Sequence, residues 1–176
     1  QVDPLMASIR SANSQVSAIY FNTWDSYNRI LPFFMTPEQY PHDMVIPEYN
    51  FYYLADARHN PARREVWTDV YLDPAGLGWM MSAIAPVYRG DFLEGVAGLD
   101  LTVGKLLEQV SRLSVPWSGY AMLVSRDGRI LALPPAGEAD FGLRELTHYS
   151  YDEAVRREQL KPEDFRLDLN TSLQPL

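Results

Sequence analysis

Cysteine is absent from the 176 residues, which removes disulfides, thiolate metal sites and cysteine nucleophiles together. That absence fits the cytosol or the bacterial periplasm and does not separate them. Basic residues are scarce: 15 Lys and Arg against 23 Asp and Glu leave a net charge of −8 at pH 7. Nucleic acids and anionic membranes bind basic faces, so neither is an expected partner. No window approaches the roughly 20 apolar residues of a membrane span, and no signal peptide is visible. The chain opens with Gln rather than Met, which reads as a piece of a longer protein and leaves room for a flanking anchor or signal.

Catalytic signatures are missing as well. His42, His59 and His148 are the three histidines, and none has the spacing of an H-E-x-x-H metal pair. There is no G-x-S-x-G elbow and no Walker loop. "GLGWMMS" carries two glycines but leads into a strand pattern rather than a helix. His59, just before Asn60-Pro61, reads as a surface residue at a helix end. No cofactor and no metal is expected. The domain is not expected to be an enzyme, which leaves open a catalytic output domain elsewhere in the full-length protein.

What is present is a core: 47% of the residues are apolar. "DPLMASIRSAN" predicts a short helix, with Asp3 as its cap, Pro4 in the first turn and Leu5, Ile9 and Ala12 at helical spacing. "QVSAIYFNTWD" alternates and predicts a strand ending near Trp24, with "SYNRILPFF" as its returning partner. Pro37, Pro41 and Pro47 punctuate the next stretch. There "TPEQY" and "PEYNFYYLADARHNP" each open like a helix, the second ending at Asn60-Pro61. "EVWTDVYLD", "AGLGWMMSAIAPVY" and "DFLEGVAGLDLT" predict three further strands. Asp73-Pro74-Ala75-Gly76 and Arg89-Gly90-Asp91 supply the turns between them. The second of these spells an adhesion tripeptide, but its apolar flanks demand a hairpin turn there.

"TVGKLLEQVSRL" predicts a helix capped by Thr102, with Val103, Leu106, Leu107, Val110 and Leu113 on one face. "GYAMLVSRDGRILALP" then restarts as a hairpin around Asp127-Gly128. From residue 135 the pattern is polar and helical in short pieces, such as "SYDEAVRREQL". Five antiparallel strands with helices between the second and third make an α+β domain with helices on a sheet face. The late hairpin is marginal by itself and reads as the start of a second, similar unit.

Two features bear on function. The aromatic run "YNFYY", with Trp67, Tyr71 and Trp79, either lines a cavity or packs as plain core. Asp100 sits among Val96, Leu99 and Leu101, where an unpartnered buried carboxylate costs several kcal/mol. It points to solvent, caps the following helix or faces a polar ligand. Thr102 is better placed as the cap, so the ligand is preferred.

Three stretches together, "VWTDVYLDPAG", "SAIAPVYRGDFLEGVAGLDLTVGKLLEQV" and "GYAMLVSRDGRILALP", resemble the double Cache sensor domains of bacterial receptors. The similarity covers roughly residues 15 to 134. The resemblance implies an extracytoplasmic, PAS-like five-stranded sheet flanked by helices, borne by a membrane-anchored histidine kinase, chemotaxis receptor or cyclic-di-GMP enzyme. It divides the chain into an N-terminal helix (1–14), a membrane-distal ligand-binding lobe (15–115) and the truncated start of a membrane-proximal lobe (116–176). Dimerisation through the N-terminal helix is a further expectation that it carries.

In the amino-acid-binding branch of that family an arginine precedes an aromatic pair on a helix, followed by a Y-x-D strand end and an aspartate closing the last strand. Here the pair falls on Tyr52 and Tyr53, the strand end on Tyr71 and Asp73, and the closing aspartate on Asp100; Trp67 joins them as an aromatic neighbour. The arginine position holds Asn50. Arginine grips a carboxylate through two charge-assisted bonds, and asparagine lacks the charge. Acidic oxygens and aromatic faces suited to a cation remain. The expected ligand is therefore not an ordinary α-amino acid but an amine or another small polar metabolite. The alternative is a ligand-free module that senses through a periplasmic partner protein.

Overall fold

In the computed structural model, which describes residues 2–35, 38, 40, 42–74, 78–126, 128–145, 165 and 167, six strands form one antiparallel sheet. They are β1 (Ala18–Thr23), β2 (Asn28–Leu31), β3 (Val66–Trp67), β4 (Tyr71–Leu72), β5 (Trp79–Arg89) and β6 (Phe92–Thr102). Their spatial order is β2-β1-β6-β5-β3, and β4 also pairs with β5. This is the expected α+β architecture. Gly90, at φ +63, makes the β5–β6 turn, and Arg63 braces it by donating to the Gly90 carbonyl and to Asp91. The tripeptide is a hairpin turn.

Packing divides the chain into two units, residues 1–68 with 81–101, and residues 69–80 with 102–176. In the first unit the helix α1 (Asp3–Ala12) precedes β1. Asp3 does not cap it. Val2 holds that position, and Asp3 lies inside the first turn, paired with Arg29. One sheet face carries Ala18, Tyr20, Ser82, Ile84, Val96 and Asp100, all buried. Cross-strand partners share a face, and the register Ala18↔Asp100 and Tyr20↔Gly98 fixes this set. Ile19, Phe21, Ala83, Ala97 and Leu99 lie on the other face, toward α1.

The long helix expected over "PEYNFYYLADARHNP" is not formed. The chain makes a 3-10 turn (Ile46–Glu48) and one helical turn, α2 (Asn50–Tyr53), with Tyr49 as its N-cap. The Asp56 carboxylate explains the stop. It accepts the backbone N–H groups of Arg58 and His59 at 2.9 and 2.8 Å, bonds that compete with continuing a helix. "EVWTDVYLD" is likewise not one strand. It breaks between β3 and β4, where the Thr68 hydroxyl accepts the Ser82 N–H at 2.9 Å.

The second unit contains α3 (Val103–Ser111), the hairpin β7 (Leu123–Val124) and β8 (Ile130–Ala132), and α4 (Pro135–Phe141). Thr102 is the N-cap of α3, without a side-chain capping bond. Only Val103 of the expected apolar face is fully buried, and Leu113 is exposed. α3 packs against β8, and Ile130 to Leu133 form the buried centre. The two-stranded hairpin is present as expected, though shorter than its sequence pattern. Packing places α3 in this unit. The "TPEQY" helix (largely), the Ala75-Gly76 half of its turn, Asp127 and "SYDEAVRREQL" lie outside the described residues.

Candidate functional site

Asp100 is buried, 4% exposed, near the end of β6. That removes the solvent-facing reading. Its Oδ1 accepts the Ser82 hydroxyl at 2.6 Å, and its backbone carbonyl accepts the Ser17 N–H at 2.7 Å. Ser82 is in turn locked to Thr68: the Thr68 N–H donates to the Ser82 carbonyl, and the Ser82 N–H donates to the Thr68 hydroxyl, both at 2.9 Å. A polar track from the end of β3 to β6 therefore crosses this largely apolar face, which also carries the buried Asn22. A buried carboxylate is tolerated only when such bonds replace water. Sequence reasoning missed Ser82 and Thr68. The available signal was Ser82 itself, one hydroxyl inside the apolar run "WMMSAIAPV".

α2 reaches this face through Tyr20. The Tyr20 hydroxyl donates to the Phe51 carbonyl at 3.5 Å, and the two rings meet edge to face with centroids 6.1 Å apart. Gly98 makes room, since a Cβ there would lie 2.0 Å from the Tyr20 ring. Asn50, half-buried, opens α2. Tyr53 is half-buried against the His59 ring, 5.0 Å away. His59 bonds Asp56 at 2.8 Å. Burial pushes the Asp56 carboxyl up, but its bonds from His59 and Arg58 hold it below the ordinary carboxylate range.

Tyr52 is buried, and its hydroxyl has no hydrogen-bond partner among the described residues. Burial pushes this phenol up to about 12, with the neighbouring Tyr88, Asp25 and Asp56 adding to the shift. The neutral phenol is thus the form the fold prefers. Its contribution is fully present below the unfolded value near 10 and is lost as pH rises through about 12. In urea titrations at stepped pH, the fold should lose about 2 kcal/mol through this group over that window. Tyr52→Phe should flatten that alkaline limb. At pH 8 it should leave stability unchanged or raise it by up to about 1 kcal/mol, because an orphaned hydroxyl is removed. A clear loss at pH 8 would mean that the hydroxyl has a partner.

Trp67 departs from the expected set. It pairs with Ala83, so it lies on the α1 side of the sheet, opposite to Ser82 and Asp100, and is 54% exposed. The structure does not bring it together with Asp100. In the second unit, Tyr71 is buried on β4 opposite Met80. Asp73 is buried, its N–H bonded to the Gly78 carbonyl at 3.0 Å. Trp79, on the paired strand, is buried, and its indole N–H has no partner among the described residues. Among the described residues no cluster of His, Asp or Glu could hold a metal.

No family model matches the chain. Over 67 residues it is 34% identical to the methyl-accepting chemotaxis protein PctB of Pseudomonas aeruginosa, which is 38% of this chain and 11% of PctB. The solved ligand-binding domain of PctB, in complex with L-Arg, superposes with a TM-score of 0.57 at 26% identity, covering 74% of this chain and 50% of that one. The fold is that of the Cache sensor domains. The ligand-binding domain of the P. aeruginosa chemoreceptor PctC, in complex with GABA, agrees at TM-score 0.56 and 24% identity, over 76% of this chain and 54% of that one. That of Pseudomonas fluorescens CtaA, in complex with L-isoleucine, agrees at 0.60 and 21%, over 92% and 60%. The chain spans about half the length of the solved Cache domains it resembles. The Ser82–Asp100 track lies on the central strands of this Cache sheet.

Proposed function

We propose that this chain is the ligand-sensing part of an extracytoplasmic domain in a membrane-anchored chemoreceptor, and that its ligand is a small polar metabolite carrying an ammonium group. The observation that carries the reading is the buried Asp100 carboxylate, held by Ser82 on a sheet with the Cache fold. A carboxylate kept from water is a strong acceptor for an ammonium group. Asn50 stands where the amino-acid-binding pattern has arginine, which favours amines over α-amino acids. Tyr52 and Tyr53 on α2 belong to the same proposal; Tyr71 and Asp73 enter it on the Y-x-D pattern alone. The domain binds without catalysing. Ligand affinity that differs between two arrangements of the domain is sufficient to pass a signal to the rest of the receptor. Homodimerisation through the N-terminal helix belongs to this proposal too. Among the described residues no helix is long and apolar enough to cross a membrane.

A thermal-shift panel of amines, α-amino acids, organic acids and purines tests this. An amine at about a hundredfold over its dissociation constant should raise the melting midpoint by about 5 to 10 °C. Asp100→Asn should weaken that amine at least tenfold while circular dichroism shows the fold retained. Binding of α-amino acids with no response to any amine would overturn the amine assignment. Silence across the panel would overturn the sensor reading in favour of a protein partner.

A further inference from the structure

On the α1 side of the sheet, small residues sit between the larger Ile19, Phe21 and Leu99. Ala83 and Ala85 on β5 and Ala97 on β6 line a groove of about 350 Å³ beneath the helix. α1 covers it incompletely: Met6 is 3% exposed, but Leu5 is 62% and Ile9 38% exposed. Every residue lining the groove is apolar or aromatic except Glu65. Glu65 is exposed, and its carboxylate makes no hydrogen bond or ion pair among the described residues. Trp67, two residues further along, is exposed and pairs with Ala83, which lines the groove, though Trp67 itself does not. The groove lies on the sheet face opposite to Asp100.

We propose that this groove is a second binding site, for an alkylammonium ligand whose chain lies on the alanines and whose ammonium group meets Glu65. Volume permits it, since an apolar cavity of about 150 Å³ already holds benzene. Charge sets the ligand class. The single carboxylate at the edge and the chain's net charge of −8 favour a cation and disfavour a fatty acid. The Trp67 indole adds an aromatic face of the kind that attracts ammonium groups. This places Trp67, the aromatic that does not share a face with Asp100, beside a ligand site of its own. A ligand wedged here would clamp α1 to the sheet.

Calorimetric titration with n-octylammonium, n-butylammonium, octanoate and octanol tests the assignment. Octylammonium should bind, with affinity falling about fourfold for each CH₂ removed. Octanoate and octanol should bind at least tenfold more weakly. Glu65→Gln, an exposed substitution that leaves the fold intact, should bring octylammonium down to the level of octanol. Ala97→Leu should fill the groove and abolish binding, whereas Asp100→Asn should leave it unchanged, which separates this site from the one proposed above. Equal affinity for octanoate, no binding of octylammonium, or binding lost in Asp100→Asn but kept in Ala97→Leu would each overturn the proposal. A dimer that octylammonium dissociates would overturn it too, because a second copy would then be the occupant.

Discussion

Gly98→Ala should destabilise the domain by about 2 to 3 kcal/mol, measured by urea unfolding, and Gly98→Val by more. The backbone at Gly98 is ordinary strand, so the cost is one of space. A Cβ built there falls 2.0 Å from Tyr20 Cζ and 2.3 Å from its hydroxyl oxygen. Tyr20 cannot easily yield, being 3% exposed. Its ring rests on Phe51 and its hydroxyl holds the Phe51 carbonyl. Moving the ring therefore moves α2, and with it the backbone that places Asn50, Tyr52 and Tyr53. The same variant should also weaken ligand binding although residue 98 need touch no ligand. A double-mutant cycle with Tyr20→Leu isolates the cause: truncating the ring should restore much of the loss, a coupling of about 1 to 2 kcal/mol. A Gly98→Ala cost below about 0.5 kcal/mol would mean that the Tyr20 ring swings aside freely and does not fix α2.

The parts of the fold legible in the sequence are the long strand patterns with clear turn chemistry between them. β1 lies in an alternating stretch, β5 and β6 are eleven-residue strands rich in apolar residues, and Gly90 supplies the positive φ that the β5–β6 hairpin needs. β3 has two residues. In so short a strand a shift of one position exchanges the faces, and the break at Thr68 is invisible to a pattern that alternates straight through it. Trp67 was therefore grouped with Asp100 on its aromatic character, and the register with Ala83 puts it on the other face.

α2 failed for a related reason. Helical spacing of Tyr49 and Tyr53 is real, but the Asp56 carboxylate takes the next free N–H groups, a local competition that periodicity does not weigh. Asp100 was found because a charge in an apolar strand is an anomaly. Ser82 is the same anomaly in weaker form, and the two are partners.

Glu145 is also a buried polar group, though it lies outside any strand, and its removal should have the other large effect. It is 1% exposed, in the second unit, where its Oε2 accepts the Leu133 N–H at 2.8 Å. Leu133 follows β8 and is itself fully buried, so its N–H has no water to turn to when that acceptor goes. Glu138 braces the arrangement by accepting the Glu145 N–H at 2.7 Å. Glu145→Ala should therefore cost about 3 kcal/mol, from an orphaned donor together with a cavity. Glu145→Gln keeps a side-chain oxygen for Leu133 and should cost less than half as much. Hydrogen exchange at the Leu133 amide reads the difference locally, with an acceleration of about a hundredfold for the alanine variant if opening of this unit governs exchange. Alanine and glutamine variants of equal stability would show that the bond to Leu133 contributes nothing. In that case the packing of Ile130 to Leu133 alone holds the hairpin.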